Sequence, residues 1–164
     1  MDDESTLSPD DAHPKARQAL TDAFFWDLSD PCGPFGDQTG REVLDAFRDH
    51  RDEHADAGAL ALLGELLAEW EVADAAWDVI DEAEVEAVGA EDELGLLLRD
   101  EAIVALAFAE IMVDGQVEPE VRRRAVLALG RQALPALLHG WGERMKRREA
   151  CVARMREVLL QRWG

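Results

Sequence analysis

The chain is predicted to be all-α, a single compact domain of about seven to eight helices, and three observations carry that prediction. Apolar residues recur at three- and four-residue spacing through most of its length. No run alternates apolar and polar residues as a half-buried strand does, and no repeat of about 20–50 residues divides the chain into modules. At 164 residues there is enough chain to bury a core without a disulfide framework or a structural metal.

Taken in order, residues 1–12 are acidic and polar and are expected to form a disordered tail, leaving 13–164 as the domain. The first ten residues contain neither a basic leader nor an apolar stretch, so a secretory signal is not expected. Pro14 suits the first turn of a helix reaching about residue 21. Residues 24–40, FFWDLSDPCGPFGDQTG, then interrupt the helical pattern with four of the ten aromatic residues and two of the six prolines. Phe24, Phe25 and Trp26 are too apolar to remain together in water, so an ordered aromatic loop packed against the helices is expected, with Asp27, Asp30 and Asp37 as turn and cap residues.

Asp37 or Thr39 caps a second helix over about residues 41–54, whose Val43, Leu44 and Phe47 share one face. Asp56 or Gly58 opens a third, through Leu60, Leu63, Leu67 and Trp70. Residues 72–88 read as one or two short acidic helices, with Gly89 as the break. The next segment, starting at about residue 92 or 100, contains DEAIVALAFAEIMV and is apolar on nearly every side. It is predicted to be the central, most buried helix, near residues 100–113. Asp114 and Gly115 end it, Pro119 opens a helix to about residue 131, Pro135 opens a short one, and a last helix covers about residues 143–162.

Charge narrows the function. There are 36 acidic and 17 basic residues, a net charge of −19, and such a field repels phosphate backbones and anionic lipid surfaces. Neither nucleic acid nor a membrane is the expected partner, and no apolar run approaches the ~18 residues of a membrane span. The bases are arginine except for Lys15 and Lys146, the imprint of a GC-rich coding sequence, with adaptation to a salty cytoplasm as another source of the acidity. Acids dominate residues 38–120, whereas residues 121–164 carry most of the arginines. Cys32 and Cys151 stand in no metal-ligand spacing and read as two free thiols in a reducing compartment, so a cytoplasmic location is expected.

Few constellations point to catalysis. His50 and His54 are four residues apart, a spacing at which two imidazoles reach one metal ion, but the order HRDEH lacks the glutamate placement of HExxH. Glu110, inside the most apolar helix, is expected to find a partner arginine. The pattern around Asp114 and Gly115 lacks the alternating ligands of a calcium loop and reads as a helix–helix turn. There is no phosphate-binding glycine loop, GxSxG elbow or CxxC, and no cofactor is expected.

Four stretches, HPKARQALTDAFFWD, DPCGPFGDQTG, DEAIVALAFAEIMVDGQVEPEVRRRAVLAL and ERMKRREACVARMREVLL, resemble the YfeS-like bacterial proteins, a group linked loosely with molybdate-regulator (MolR-type) relatives. The resemblance covers residues 13 to about 160. It implies an all-helical cytoplasmic protein with no established reaction, cofactor or catalytic residue. The reading that emerges is a protein-interaction module of immunity or regulatory type, monomeric or weakly dimeric, with Trp26, Asp27, Asp30, Phe35 and Asp37 as the contact loop and a basic protein as partner. The rival is a small-molecule or metal-binding enzyme built on the Asp and His residues of positions 27–54, which requires Asp27, Asp30, Asp37, His50 and His54 to converge on one pocket.

Overall fold

A computed structural model describes residues 6–163. Among them there are eight α-helices: α1 (Pro14–Ala19), α2 (Gln38–Glu53), α3 (Ala59–Glu69), α4 (Glu82–Glu91), α5 (Glu93–Asp114), α6 (Pro119–Gln132), α7 (Pro135–Leu138) and α8 (Met145–Leu159). Short 3-10 turns cover Pro9–Asp11, Ala23–Phe25 and His139–Arg144. Among the described residues there is no strand, only an isolated antiparallel bridge between Thr6 and Asp27.

The chemistry of the helix ends sets these boundaries. Pro14, Pro119 and Pro135 open α1, α6 and α7, where a missing N–H costs nothing and φ is already helical. The carboxylates of Asp37, Asp81 and Asp92 accept N–H groups of the first turns of α2, α4 and α5. Asp92 also closes α4, so α4 and α5 meet at a single residue. Gly115 ends α5 at φ 68°, a left-handed conformation that favours glycine. The His13 ring lies where a Cβ on Gly115 would fall, and the His13 N–H donates to the Met112 carbonyl at 2.8 Å. The His–Pro start of α1 is thereby docked on the end of α5.

Helix α5, about 33 Å long, is the axis of the molecule, packing against α1, α2, α3, α4 and α6. Ala102 through Met112 are buried without interruption and all but Glu110 are apolar, as suits a helix covered on all sides. One hydrophobic core joins α5 to α2, α3, α6, α8 and the aromatic loop. Helix α4 stands apart: its one buried residue, Val85, lies outside that core. Among the described residues no helix is long and apolar enough to cross a membrane.

Two expectations need correction. The tail predicted for residues 1–12 is ordered over the part described: Leu7 is buried, its N–H donates to the Trp26 carbonyl at 2.7 Å, and Pro9–Asp11 form a turn. A single apolar residue pairing with the loop outweighs the polar composition around it; residues 1–5 lie outside the described residues. The break at Gly89 is absent, because α4 runs through it to Glu91. The irregular stretch is instead residues 71–81, held by Arg131, whose Nη1 donates to the Trp77 and Val79 carbonyls at 2.9 Å each, and by Arg99, which donates to the Ala73 carbonyl.

Candidate functional site

The aromatic loop is inward-facing. Phe25 is fully buried and lies 5.3 Å, ring to ring, from Phe108 of α5. Trp26 is 7% exposed with its indole N–H on the Leu20 carbonyl, and Phe35 is 1% exposed. A Cβ on Gly36 would collide with the Asp30 carbonyl, so this turn closes only with glycine there. Trp26 and Phe35 are therefore core anchors and offer no contact face, a correction to the expected contact loop.

The loop aspartates serve the same architecture. Asp27 accepts from the Ser29 N–H and hydroxyl, and Asp37 accepts from the Gly40 N–H at 2.6 Å. Asp30 accepts from the Cys32 N–H and pairs through both carboxylate oxygens with Arg147 of α8, and that guanidinium holds its pKa below the usual range. The turn and cap roles expected of these aspartates are local, but the partner Arg147 of Asp30 lies more than a hundred positions away and is not legible in the sequence.

The pocket required by the rival reading does not form. Asp37 opens α2 and His50 lies near its other end, thirteen residues and about 20 Å along the axis. The His50 and His54 rings are 5.7 Å apart, and no group of three or more His, Cys, Asp or Glu side chains among the described residues is placed to hold a metal. Arg51, between them, ties the helix end down by donating to the Ala55 and Ala57 carbonyls and pairing with Asp114 at 2.7 Å. Glu110 does not acquire the expected arginine as a partner. It is buried, accepts the Glu118 N–H at 3.4 Å, and is pushed up to about 8 by burial first and then by the Glu118 charge. The carboxyl is kept uncharged by a proton.

An open site lies beside α4. A groove of about 580 Å³, within the usual range of ligand sites, separates α4 from α7 and the turn after it. The face of α4 bearing Glu82, Val85, Glu86, Gly89 and Ala90 forms one wall. Leu134, Ala136, Leu137, Gly140 and Trp141 form the other, and Glu93, Leu96, Leu97 and Glu101 of α5 form the floor. Leu97, 42% exposed, is the most open apolar residue of that floor. Thus the base is apolar and Glu82, Glu86 and Glu93 add negative charge around it.

At its inner end the groove meets a small space bordered by Asp37, Asp100, Glu101, Gln132 and Arg148. Asp100 is paired with Arg131 at 2.8 Å and accepts from the Gln132 amide at 2.7 Å. Arg148 is 9% exposed, donates to the Cys32 carbonyl and lies 4.7 Å over the Trp141 ring; burial lowers its pKa. Burial, and then the charge of Asp37, raise Glu101 to about 7. Burial also raises Asp37, against the Gly40 N–H and the charge of Arg148.

Neither the groove nor Glu101 stood out in the sequence, although two signals were there. Glu93, Leu97 and Glu101 fall at four-residue spacing, on one stripe of a helix. Between residues 55 and 98 there are thirteen acidic residues and no Lys, Arg or His.

Comparison with known proteins gives a named relative. The chain is similar to the uncharacterized protein YfeS of Escherichia coli (strain K12), 27% identical over 144 residues, which is 87% of this chain and 59% of that protein. The chain thus spans 59% of the length of the curated relative it matches. That match carries no reaction and no link to molybdate-regulator proteins. No protein-family model matches the chain, and no solved structure matches it.

Proposed function

We propose that the protein is a binding module whose α4–α5–α7 groove receives an amphipathic, cationic segment of a partner protein. The observation that supports this most is the groove itself: an apolar floor of Leu96 and Leu97 with Glu82, Glu86 and Glu93 beside it. An amphipathic helix placed there buries its apolar residues against the floor and leaves its basic residues beside the glutamates. The wider field favours the same partner, since a net charge of −19 accelerates encounter with a basic protein. Aromatic anchoring in the 24–40 loop plays no part in this contact.

The test is a titration with a fluorescein-labelled amphipathic helix of leucine and lysine, followed by anisotropy. Saturable binding is expected that weakens with added salt, and that Ala136→Trp, which fills the groove mouth from an exposed position, abolishes. Equal affinity for a peptide with glutamate in place of every lysine would contradict the proposal, as would undiminished binding to Ala136→Trp.

A further inference from the structure

We infer that Glu101 is the anchor of this groove, the carboxylate that receives a lysine or arginine head group brought in on its apolar stem by the partner. The inference rests on the reading of the groove as a binding surface and adds the residue that selects the ligand. Glu101 is the innermost acid of the groove, bordering both the open cleft and the small space behind it. Glu93, Leu97 and Glu101 lie along one stripe of α5, each about 6 Å from the next, so a long aliphatic side chain laid over Leu97 ends at Glu101, one turn further on. That is how lysine and arginine cover apolar surface while keeping the charged head solvated or paired.

The groups facing Glu101 leave room for such a cation. Thr39 and Asp37 approach from the start of α2, Asp100 from its own helix, Gln132 from α6 and Arg148 from α8, with Glu82 and Glu86 across the groove on α4. Asp100 is engaged by Arg131 and Gln132, and Asp37 caps its helix. Arg148 donates from Nη1 to the Cys32 carbonyl and lies over the Trp141 ring; its Nε has no hydrogen-bond partner among the described residues, and its charge acts on Glu101 without forming an ion pair. Among the described residues no ion pair involves Glu101. A charge supplied from outside completes the site, and on its arrival any proton held by Glu101 is released to solvent.

The same labelled leucine–lysine peptide tests this against wild type, Glu101→Gln, Glu86→Gln and Ala136→Trp, each checked for folding by circular dichroism. Loss of a partly desolvated charge-assisted contact is expected to weaken Glu101→Gln roughly tenfold or more, and the exposed Glu86→Gln by about twofold. Calorimetry near pH ~6.5, in two buffers of different ionisation enthalpy, is expected to show proton release on binding to wild type and none with Glu101→Gln. If Glu101→Gln does not fold, Glu101→Asp retracts the carboxylate by one methylene with its charge retained, and a loss of roughly tenfold is again expected. Binding that Ala136→Trp blocks while Glu101→Gln and Glu86→Gln weaken it equally would overturn the anchor and leave the groove reading standing. No binding to wild type would overturn both.

Discussion

The two halves of α5 carry the same perturbation with different consequences. In its first half Glu101 is raised to about 7, and in its second half Glu110 is raised to about 8, in both cases mainly by burial. Glu110 is roofed over and accepts a backbone N–H from Glu118. Burial holds its proton until the pH rises through about 8. Glu101 lies half-buried at the floor of an open groove, where a cation can replace the proton. A shifted carboxyl therefore marks a candidate site only where something outside the protein can reach it.

The largest expected effect comes from the closed side of α5, where the aromatic loop packs on Phe108. Phe25→Ala removes a fully buried ring from against Phe108 and is expected to cost about 3–5 kcal/mol in urea unfolding. A loss below ~1 kcal/mol would mean that the loop is not the architectural element described here. Of comparable size is Arg131→Met, which leaves Asp100 buried without its cation and releases the Trp77 and Val79 carbonyls. About 3–5 kcal/mol is expected, much of it recovered when Asp100 is replaced by leucine in the same chain.

Next comes Glu110→Gln, read as stability against pH. A carboxyl raised in the folded state contributes stability that is fully present below its ordinary value of 4.5 and is lost as the pH climbs through about 8. The amide has no proton to lose, so the variant is expected to gain on wild type as the pH rises from about 4.5 to about 8, on the order of 2–4 kcal/mol in all, and to run parallel with it above that. Stability curves parallel over that whole range as well would show that Glu110 is ionised throughout. The smallest expected change in stability, under about 1 kcal/mol, is for Leu97→Ser at the open end, since that side chain is already in contact with water. Its effect should fall on peptide affinity instead.

Much of the fold was legible in the sequence because it rests on local chemistry. Pro14, Pro119, Pro135, Asp37 and Gly115 mark helix ends by rules that need no tertiary contact, and the unbroken apolar run of α5 identifies the central helix by itself. The site was less legible. Residues 24–40 are rich in the types that build sites, yet their polar groups are engaged by Ser29, Gly40 and the distant Arg147, and their rings by α5 and Leu20. The groove draws its walls from segments some fifty positions apart that are individually plain, and only the folded chain brings Glu86, Leu97 and Trp141 to one cleft. Gly89 was misread because a glycine that faces a groove, with nothing closer than Leu96, does not end a helix.

The most direct test of the central claim is amide hydrogen exchange of the protein with and without the leucine–lysine peptide. Protection is expected to rise in α4, in the first turns of α5, across residues 134–141 and at the start of α2 beside Glu101, with residues 24–32 unchanged. Protection that appears in residues 24–32 and leaves α4 untouched would contradict the account and return the contact surface to the aromatic loop.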